Sequence, residues 1–290
     1  MSSRNAQQVK DWNGRSGESW VVHQDWLDRM LAPFGDAAIA AAAPVAGEHV
    51  LDIGCGAGTT SFAIADRVRP GGGVLGIDIS QPLIGRAREL ERGTADAAFL
   101  LADAGTADLP AQHFDLLFSR FGVMFFDDPV AVFTHLRGAL KPSGRLTLAC
   151  WRAAEENDWI RLPMGAVQGI VPPAPPLPPD APGPFSFGSR ERVAAILERA
   201  GFADIAFTPF DHDIVFGQGP DREAAVENAL SMAFEIGPLS RVLADEPDAV
   251  RERASHAVRA AFARHAGERS VLINGAAWIV GARNSVGGSQ

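Results

Sequence analysis

Short apolar runs alternate along this chain with segments of helical periodicity, and glycine- or proline-rich breaks separate them. Apolar runs of about four to eight residues between such breaks predict buried strands. In the first half of the chain the runs begin near residues 49, 74, 98, 114 and 145, and residues 59–68 have helical character. Residues 49–78 therefore form one βαβ unit, and the repeated interval predicts a doubly wound α/β sheet.

The second half of the chain continues with longer helical segments. A helix is predicted over residues 189–200, ended by Gly201, and a sixth strand over 203–216. Two helices follow at about 220–235 and 240–266, and a final strand at 271–280. The helices lie in an insertion, residues 217–269, that we expect to help enclose a substrate pocket.

The first strand breaks into a glycine-rich turn that opens the following helix. Glycines stand at positions 54, 56 and 58, as a backbone that passes close to a ligand requires. The start of the helix directs free N–H groups and its positive dipole end toward that ligand. Dinucleotide-binding loops have the pattern G-x-G-x-x-G, and Thr59 stands here where the third glycine would be. An acidic residue, Asp52, lies two positions before the first glycine. The loop predicts a nucleotide-type site, although such turns also serve as plain strand-to-helix connectors.

Three motifs that follow the loop give it a family context. Asp78 ends the second strand, Asp103 ends the third, and the strand at 114–119 runs into an aromatic segment. In order and spacing, this half of the chain (about 45–151) resembles the class I S-adenosylmethionine-dependent methyltransferases. The resemblance is closest to the small-molecule enzymes grouped with ubiquinone/menaquinone biosynthesis. It implies a Rossmann-like seven-stranded sheet with an antiparallel last strand, helical lid and cap elements, and S-adenosyl-L-methionine as cofactor, with S-adenosyl-L-homocysteine as product.

The resemblance also implies roles for individual residues. The carboxylate of Asp78 accepts the ribose hydroxyls and that of Asp103 the adenine amino group, although Asp103 also suits a turn into Gly105. The aromatic segment after the fourth strand lines the adenosine and the methyl group, with core packing as the competing explanation for about half of its residues. The cofactor-binding candidates are Trp12, Asp52, Gly54, Cys55, Gly56, Gly58, Thr59, Thr60, Asp78, Ile79, Asp103, Ala104, Ser119 and Phe121; the acceptor-binding candidates are Trp20, Met124, Phe125 and Trp151.

Methyl transfer from a sulfonium requires little from the protein beyond positioning and exclusion of water. A general base helps only where the acceptor must lose a proton. Because the chain has no tyrosine, histidine is the natural candidate for this base. We select His23, whose competing interpretation is an ordinary surface or core histidine. Arg120, beside the expected methyl-transfer wall, either binds an acidic substrate group or pairs with Asp127 or Asp128.

The composition of the chain limits the kinds of molecule and site that it can have. The net charge of −9 and the pI near 5.3 argue against nucleic acid. The two cysteines, Cys55 and Cys150, make no disulfide framework, and no histidine or cysteine spacing predicts a metal site. Residues 1–10 lack a signal-peptide core, and the alanine-rich run at 37–43 is too short for a bilayer. We expect a cytoplasmic monomer or homodimer without stable membrane insertion.

The segments outside the glycine-loop half are expected to select the substrate. We divide the chain into an N-terminal helical lid (1–44), a cofactor-binding core (45–151), helices with a Pro-rich active-site loop (152–202), C-terminal strands with the insertion (203–283) and a flexible tail (284–290). The lid segment equally suits a helix packed on the sheet. The proline run at 172–179 also fits a PxxP ligand.

These features together predict methyl transfer by in-line displacement to a small, apolar or aromatic molecule. The main alternative is an NAD-dependent oxidoreductase on a similar sheet, which the missing third glycine disfavours. A non-catalytic S-adenosylmethionine-binding module also remains open, as does another reaction at the sulfonium.

Overall fold

The computed structural model describes residues 3–91, 96–172, 178 and 181–284. Within this part of the chain the strands form one sheet in the order β3-β2-β1-β4-β5-β7-β6. Neighbours among the first five strands are parallel, and β7 runs antiparallel to both β5 and β6. The expected Rossmann-like sheet with an antiparallel last strand is confirmed. The strands are β1 (His49–Ile53), β2 (Gly73–Asp78), β3 (Ala97–Leu101), β4 (Phe114–Arg120), β5 (Leu140–Trp151), β6 (Phe202–Gln218) and β7 (Ser270–Asn284).

Helices connect the strands, and several begin at residues suited to capping. Ser80, Asp128, Ser189 and Asp221 each accept a hydrogen bond from the backbone N–H three residues further on. Gly201, at φ +89°, follows the helix that precedes β6. The helices are α1 (Ser3–Trp12), α2 (Arg15–Val22), α3 (Gln24–Ala42), α4 (Thr59–Val68), α5 (Gln81–Leu90), α6 (Pro129–Ala139), α7 (Asp158–Ala166), α8 (Arg190–Arg199), α9 (Arg222–Glu235), α10 (Pro238–Val242) and α11 (Asp248–Ala263).

The N-terminal segment forms three helices with different surroundings. α3 packs against β4 to β7 and buries Trp26, Leu27, Met30 and Phe34 in the main core. α2 instead contacts α5, near the ends of β2 and β3. The packed-helix interpretation therefore describes α3, while α1 and α2 cover the edge of the sheet where the strands end.

Three boundaries differ from the sequence prediction. β3 ends at Leu101, so Asp103 lies in the turn after the strand. β5 begins at Leu140, five residues before the predicted start near 145, and its register with β4 shifts between the Phe114 and Leu116 pairings. The helix expected over 240–266 is broken between α10 and α11, because a proline at 247 disfavours helical geometry in the residue before it.

Most of the proline run at 172–179 and the tail at 285–290 lie outside the described residues. The PxxP and active-site-loop interpretations of that run therefore remain predictions. No helix in the described part of the chain has the length and apolar character needed to cross a membrane.

The end of α3 is fixed to the sheet by Arg145 on β5. Its guanidinium donates to the carbonyls of Ala42 (2.8 Å) and Ala43 (3.2 Å) and to both carboxylate oxygens of Glu48 (2.6 and 2.8 Å). Burial alone would raise the pKa of Glu48, but hydrogen bonds, first from Arg145, hold it below its usual value. This contribution to stability is therefore present at neutral pH and lost as pH falls through the lowered pKa.

Arg145→Met is expected to lower the free energy of unfolding by about 1–2 kcal/mol at neutral pH. Urea denaturation of the variant and the wild type should give a difference that shrinks in acid, where Glu48 is protonated. Arg161→Met, which removes an exposed ion pair with Asp158, is the matched control and should change stability by less than about 0.5 kcal/mol. Equal effects of the two substitutions would contradict the anchoring role of Arg145.

Candidate functional site

A cavity of about 370 Å³ opens where the carboxyl ends of the parallel strands meet. Its floor comes from the residues that end β1, β2, β4 and β5, and its walls from α1 to α3, α7, α9 and α10. Ligands bind at this edge in open α/β sheets because the helix starts and loops converge there. The cavity therefore joins the glycine loop to helices from both ends of the chain.

The three loop glycines have positive φ angles, at +67° for Gly54, +56° for Gly56 and +86° for Gly58. A Cβ on Gly54 would lie 2.6 Å from the Cα of Gly122, and one on Gly58 would lie 2.7 Å from the ring of Phe99. A Cβ on Gly56 would meet nothing within 4 Å. Gly54 and Gly58 are thus required by close packing, while Gly56 leaves open space beside the cavity.

Asp78, at the end of β2, lines the cavity and also orders the loop. Its Oδ2 accepts a hydrogen bond from the Gly56 backbone N–H, and its Oδ1 accepts one from the Ser80 N–H, both at 2.9 Å. Burial raises the pKa of the carboxyl, while these backbone donors oppose that shift. Each carboxylate oxygen keeps a further lone pair that can accept from a ligand hydroxyl.

Asp103 lies in the turn after β3 and lines the same cavity. Its Oδ1 accepts from the Gly105 N–H at 2.8 Å, so the turn-opening role considered from the sequence is present. Its Oδ2 accepts from the side-chain amide of Asn5 in α1 at 2.7 Å. Asn5 was missed from the sequence because it contacts Asp103 only through tertiary packing.

Asp52 lies beneath the loop, fully buried, and does not line the cavity. Its Oδ2 accepts from the hydroxyls of Thr60 (2.8 Å) and Ser61 (2.6 Å), while its Oδ1 has no hydrogen-bond partner in the described part of the chain. Burial raises the pKa of this carboxyl. Asp52 and Thr60 therefore support the start of α4 from below.

Ser119 has a similar supporting position. Its buried hydroxyl donates to the Ile53 carbonyl at 2.7 Å and accepts from the Gly122 N–H at 3.3 Å, which ties the end of β4 to the end of β1. Gly58 also lies outside the lining. The remaining cofactor-binding candidates all line the cavity: Trp12, Gly54, Cys55, Gly56, Thr59, Asp78, Ile79, Asp103, Ala104 and Phe121.

Aromatic rings form much of the remaining wall. Phe121 stacks on Trp151 with ring centroids 4.0 Å apart, and Trp12 meets both Trp20 and Phe125 edge to face. Phe121 has a φ of +63°, a strained conformation for a residue with a Cβ that persists only where the surroundings enforce it. All four acceptor-binding candidates, Trp20, Met124, Phe125 and Trp151, line the cavity.

The two proposed catalytic residues occupy different places. His23 is not part of the lining; its Nε2 lies 2.5 Å from the carboxylate of Glu235, which does line the cavity. Arg120 lines the cavity and is near Asp28, Asp36 and Asp52 rather than paired with Asp127 or Asp128.

Several lining residues were not identified from the sequence. They come from α1 to α3, α7, β6 and the helices between β6 and β7, where helical amphipathicity alone does not distinguish a cavity wall from ordinary core. Their place in the 217–269 insertion was the available signal for the last group. They include Asn5, Arg15, Asp28, Trp26, Met30, Trp159, Phe216, Glu235, Leu239 and Arg241.

Comparison with known proteins places these features in a family. A methyltransferase domain model matches residues 44–168. Nocamycin O-methyltransferase of Saccharothrix syringae is 32% identical over 228 residues, which cover 74% of this chain and 80% of that protein. Aklanonic acid methyltransferase DauC of Streptomyces sp. (strain C5) is 38% identical over 119 residues, or 40% of this chain and 54% of that protein. The structure of YcgJ from Bacillus subtilis shares the fold, with a TM-score of 0.58 at 17% identity, covering 88% of this chain and 100% of that one.

Proposed function

Since this chain belongs to the small-molecule group of class I S-adenosylmethionine-dependent methyltransferases, we propose that it methylates a small, predominantly apolar and aromatic acceptor by in-line displacement. The observation that carries the proposal is the continuity of one cavity. The glycine loop, Asp78 and Asp103 lie in it together with the Phe121–Trp151 stack and the other aromatic walls. Cofactor and acceptor therefore have adjoining places in a single cavity.

The residues present fit the cofactor. The Gly56 position leaves space next to the loop, and the carboxylates of Asp78, at the end of β2, and Asp103, in the turn after β3, both line the cavity. We assign the ribose hydroxyls to Asp78, the adenine amino group to Asp103, and the methionine tail to the glycine loop and the start of α4. When bound, S-adenosylmethionine supplies a methyl group on a sulfonium that needs no activation by the protein.

The protein's contribution is then to position the acceptor and exclude water. Trp20, Phe125 and Trp151 supply flat, apolar surfaces and Met124 a further apolar contact, which orient a planar molecule and exclude water. His23 lies behind Glu235 as seen from the cavity, so we assign any removal of a proton from the acceptor to the Glu235–His23 pair, with Glu235 on the acceptor side.

Calorimetric titration with S-adenosylhomocysteine, with NAD⁺ in parallel, tests the cofactor site. Micromolar binding of S-adenosylhomocysteine alone is expected, whereas binding of NAD⁺ alone would contradict the proposal. A panel of hydroxylated and carboxylated aromatic molecules, incubated with S-adenosylmethionine and followed by mass spectrometry, then tests turnover. Tight cofactor binding without methylation of any panel member would favour a non-catalytic binding module.

A further inference from the structure

The charged groups of the cavity are unequally satisfied. Each carboxylate that lines it accepts at least one hydrogen bond from within the protein. The donors are Ser16 for Asp11, Thr59 and Gln24 for Asp28, Gly56 and Ser80 for Asp78, Gly105 and Asn5 for Asp103, and Ser231 for Glu235. The acidic side chains of the cavity thus have partners before any ligand binds.

The three arginines of the cavity have no such hydrogen-bond partners. Within the described residues, Arg15, Arg120 and Arg241 line the cavity and their guanidinium groups make no hydrogen bond or ion pair. Arg15 on α2 and Arg241 on α10 are exposed, whereas Arg120 is part-buried at the end of β4. Arginine donates through five N–H groups, so Arg120 presents donors to the cavity that an oxygen of a ligand can accept.

The position of Arg120 places it beside the aromatic chamber. It directly precedes Phe121, whose ring stacks on Trp151, and its Cδ lies close to Gly35 of α3. Burial lowers the pKa of the guanidinium, while the carboxylates of Asp28, Asp52 and Asp36 oppose the shift. An arginine keeps its charge throughout the physiological range, so Arg120 offers a fixed positive charge beside the aromatic chamber.

A carboxylate from the cofactor has another place to bind. Ala57 and Thr59 line the cavity at the start of α4, where free backbone N–H groups and the positive end of the helix dipole favour an anion. Arg120 therefore remains available for a second anion.

Building on the proposed function, we propose that the acceptor carries an anionic oxygen group, a carboxylate or an ionised enol or phenol, and that Arg120 binds it. Arg15 and Arg241 at the exposed rim attract the same group as it enters. Their placement matters because the whole protein carries a net charge of −9 and repels anions at longer range. The acceptor class is thus a planar aromatic molecule with an acidic substituent.

The test compares two probes of nearly equal size, 2-naphthoate and its neutral analogue 2-naphthamide. Each is titrated into the wild-type protein saturated with S-adenosylhomocysteine and into the Arg120→Met and Arg120→Lys variants. Arg67→Met, which removes the same charge from an exposed site on α4, is the control. We expect the wild type and the control to bind naphthoate at least about tenfold more tightly than naphthamide, and Arg120→Met to lose this preference.

Equal or undetectable binding of the two probes to the wild type would overturn the proposal. So would a preference for naphthoate that survives in Arg120→Met.

The cofactor is examined separately with S-adenosylhomocysteine and with methylthioadenosine, which lacks the amino-acid tail. If Arg120→Met weakens only the former and leaves the probe preference intact, Arg120 binds the cofactor carboxylate instead. Failure of the wild type to bind S-adenosylhomocysteine would count against the proposed function itself. Arg120→Lys keeps the positive charge but not the planar guanidinium with its paired donors. This variant should retain part of the preference for naphthoate, and it shows whether the site remains folded.

Discussion

Gly54→Ala is expected to lower the free energy of unfolding by about 3 kcal/mol or more. The new Cβ would lie 2.6 Å from the Cα of Gly122, and the φ of +67° is strained for alanine. The obstructing atom is backbone at the end of β4, so a side-chain rotation cannot relieve the clash. Urea denaturation followed by circular dichroism measures the loss directly.

Substitutions at two other glycines separate the effect of the steric clash from that of the backbone strain. Gly85 is exposed within α5 and a Cβ there meets nothing within 4 Å, so Gly85→Ala should stabilise by about 0.5–1 kcal/mol. Gly56→Ala should cost only the backbone strain, about 1–2 kcal/mol, but should weaken binding of S-adenosylhomocysteine because the methyl group occupies ligand space. A Gly54→Ala protein as stable as Gly56→Ala would refute the close-packing explanation.

Asp78→Ala is expected to weaken binding of S-adenosylhomocysteine by about 10- to 100-fold, since charge-assisted hydrogen bonds to the ribose are lost. Calorimetric titration gives the affinity. Asp66→Ala, which removes an exposed carboxylate paired with Arg69, is the matched control and should bind like the wild type. Unchanged affinity in Asp78→Ala would mean that the ribose is held elsewhere.

A second variant distinguishes ligand contact from support of the loop. Asp78→Asn has no charge and keeps one acceptor oxygen, while its NH2 group replaces the second oxygen, so it approximates the protonated carboxyl. Burial raises the pKa of Asp78, so the affinity of the wild type should fall as pH is lowered toward that pKa. The affinity of Asp78→Asn should be lower than that of the wild type at neutral pH and nearly independent of pH in the same range.

The sheet and the loop were predictable because their signals are local. Buried parallel strands appear as continuous apolar runs, and positions 54, 56 and 58 combine glycine with a strand-to-helix change. The antiparallel placement of β7 came from the family resemblance and not from periodicity. The prediction of one helix over 240–266 passed over Pro247, which lies between α10 and α11.

The less predictable part of the site depends on contacts between distant segments. Asn5 reaches Asp103 across 98 positions, and His23 reaches Glu235 across 212. Neither pair has a local sequence signature, because Asn5 meets Asp103 only where α1 reaches the turn after β3, and His23 meets Glu235 only where the N-terminal helices reach the end of α9. That Arg120 has no direct hydrogen-bond acceptor among the described residues was likewise visible only once its neighbours in space were known.

The insertion between β6 and β7 has a consequence for how such a protein can diversify. The part of the cavity to which we assign the ribose, the adenine and the methionine tail comes mainly from residues between β1 and the turn after β3, whereas part of the opposite wall comes from residues 233–244 on α9, α10 and their junction. The insertion is carried at the ends of two paired strands and contributes none of the loop glycines or strand-end carboxylates. We therefore expect exchange of this helical segment between relatives to alter which molecules are accepted, while the half of the fold assigned to the methyl donor is inherited unchanged.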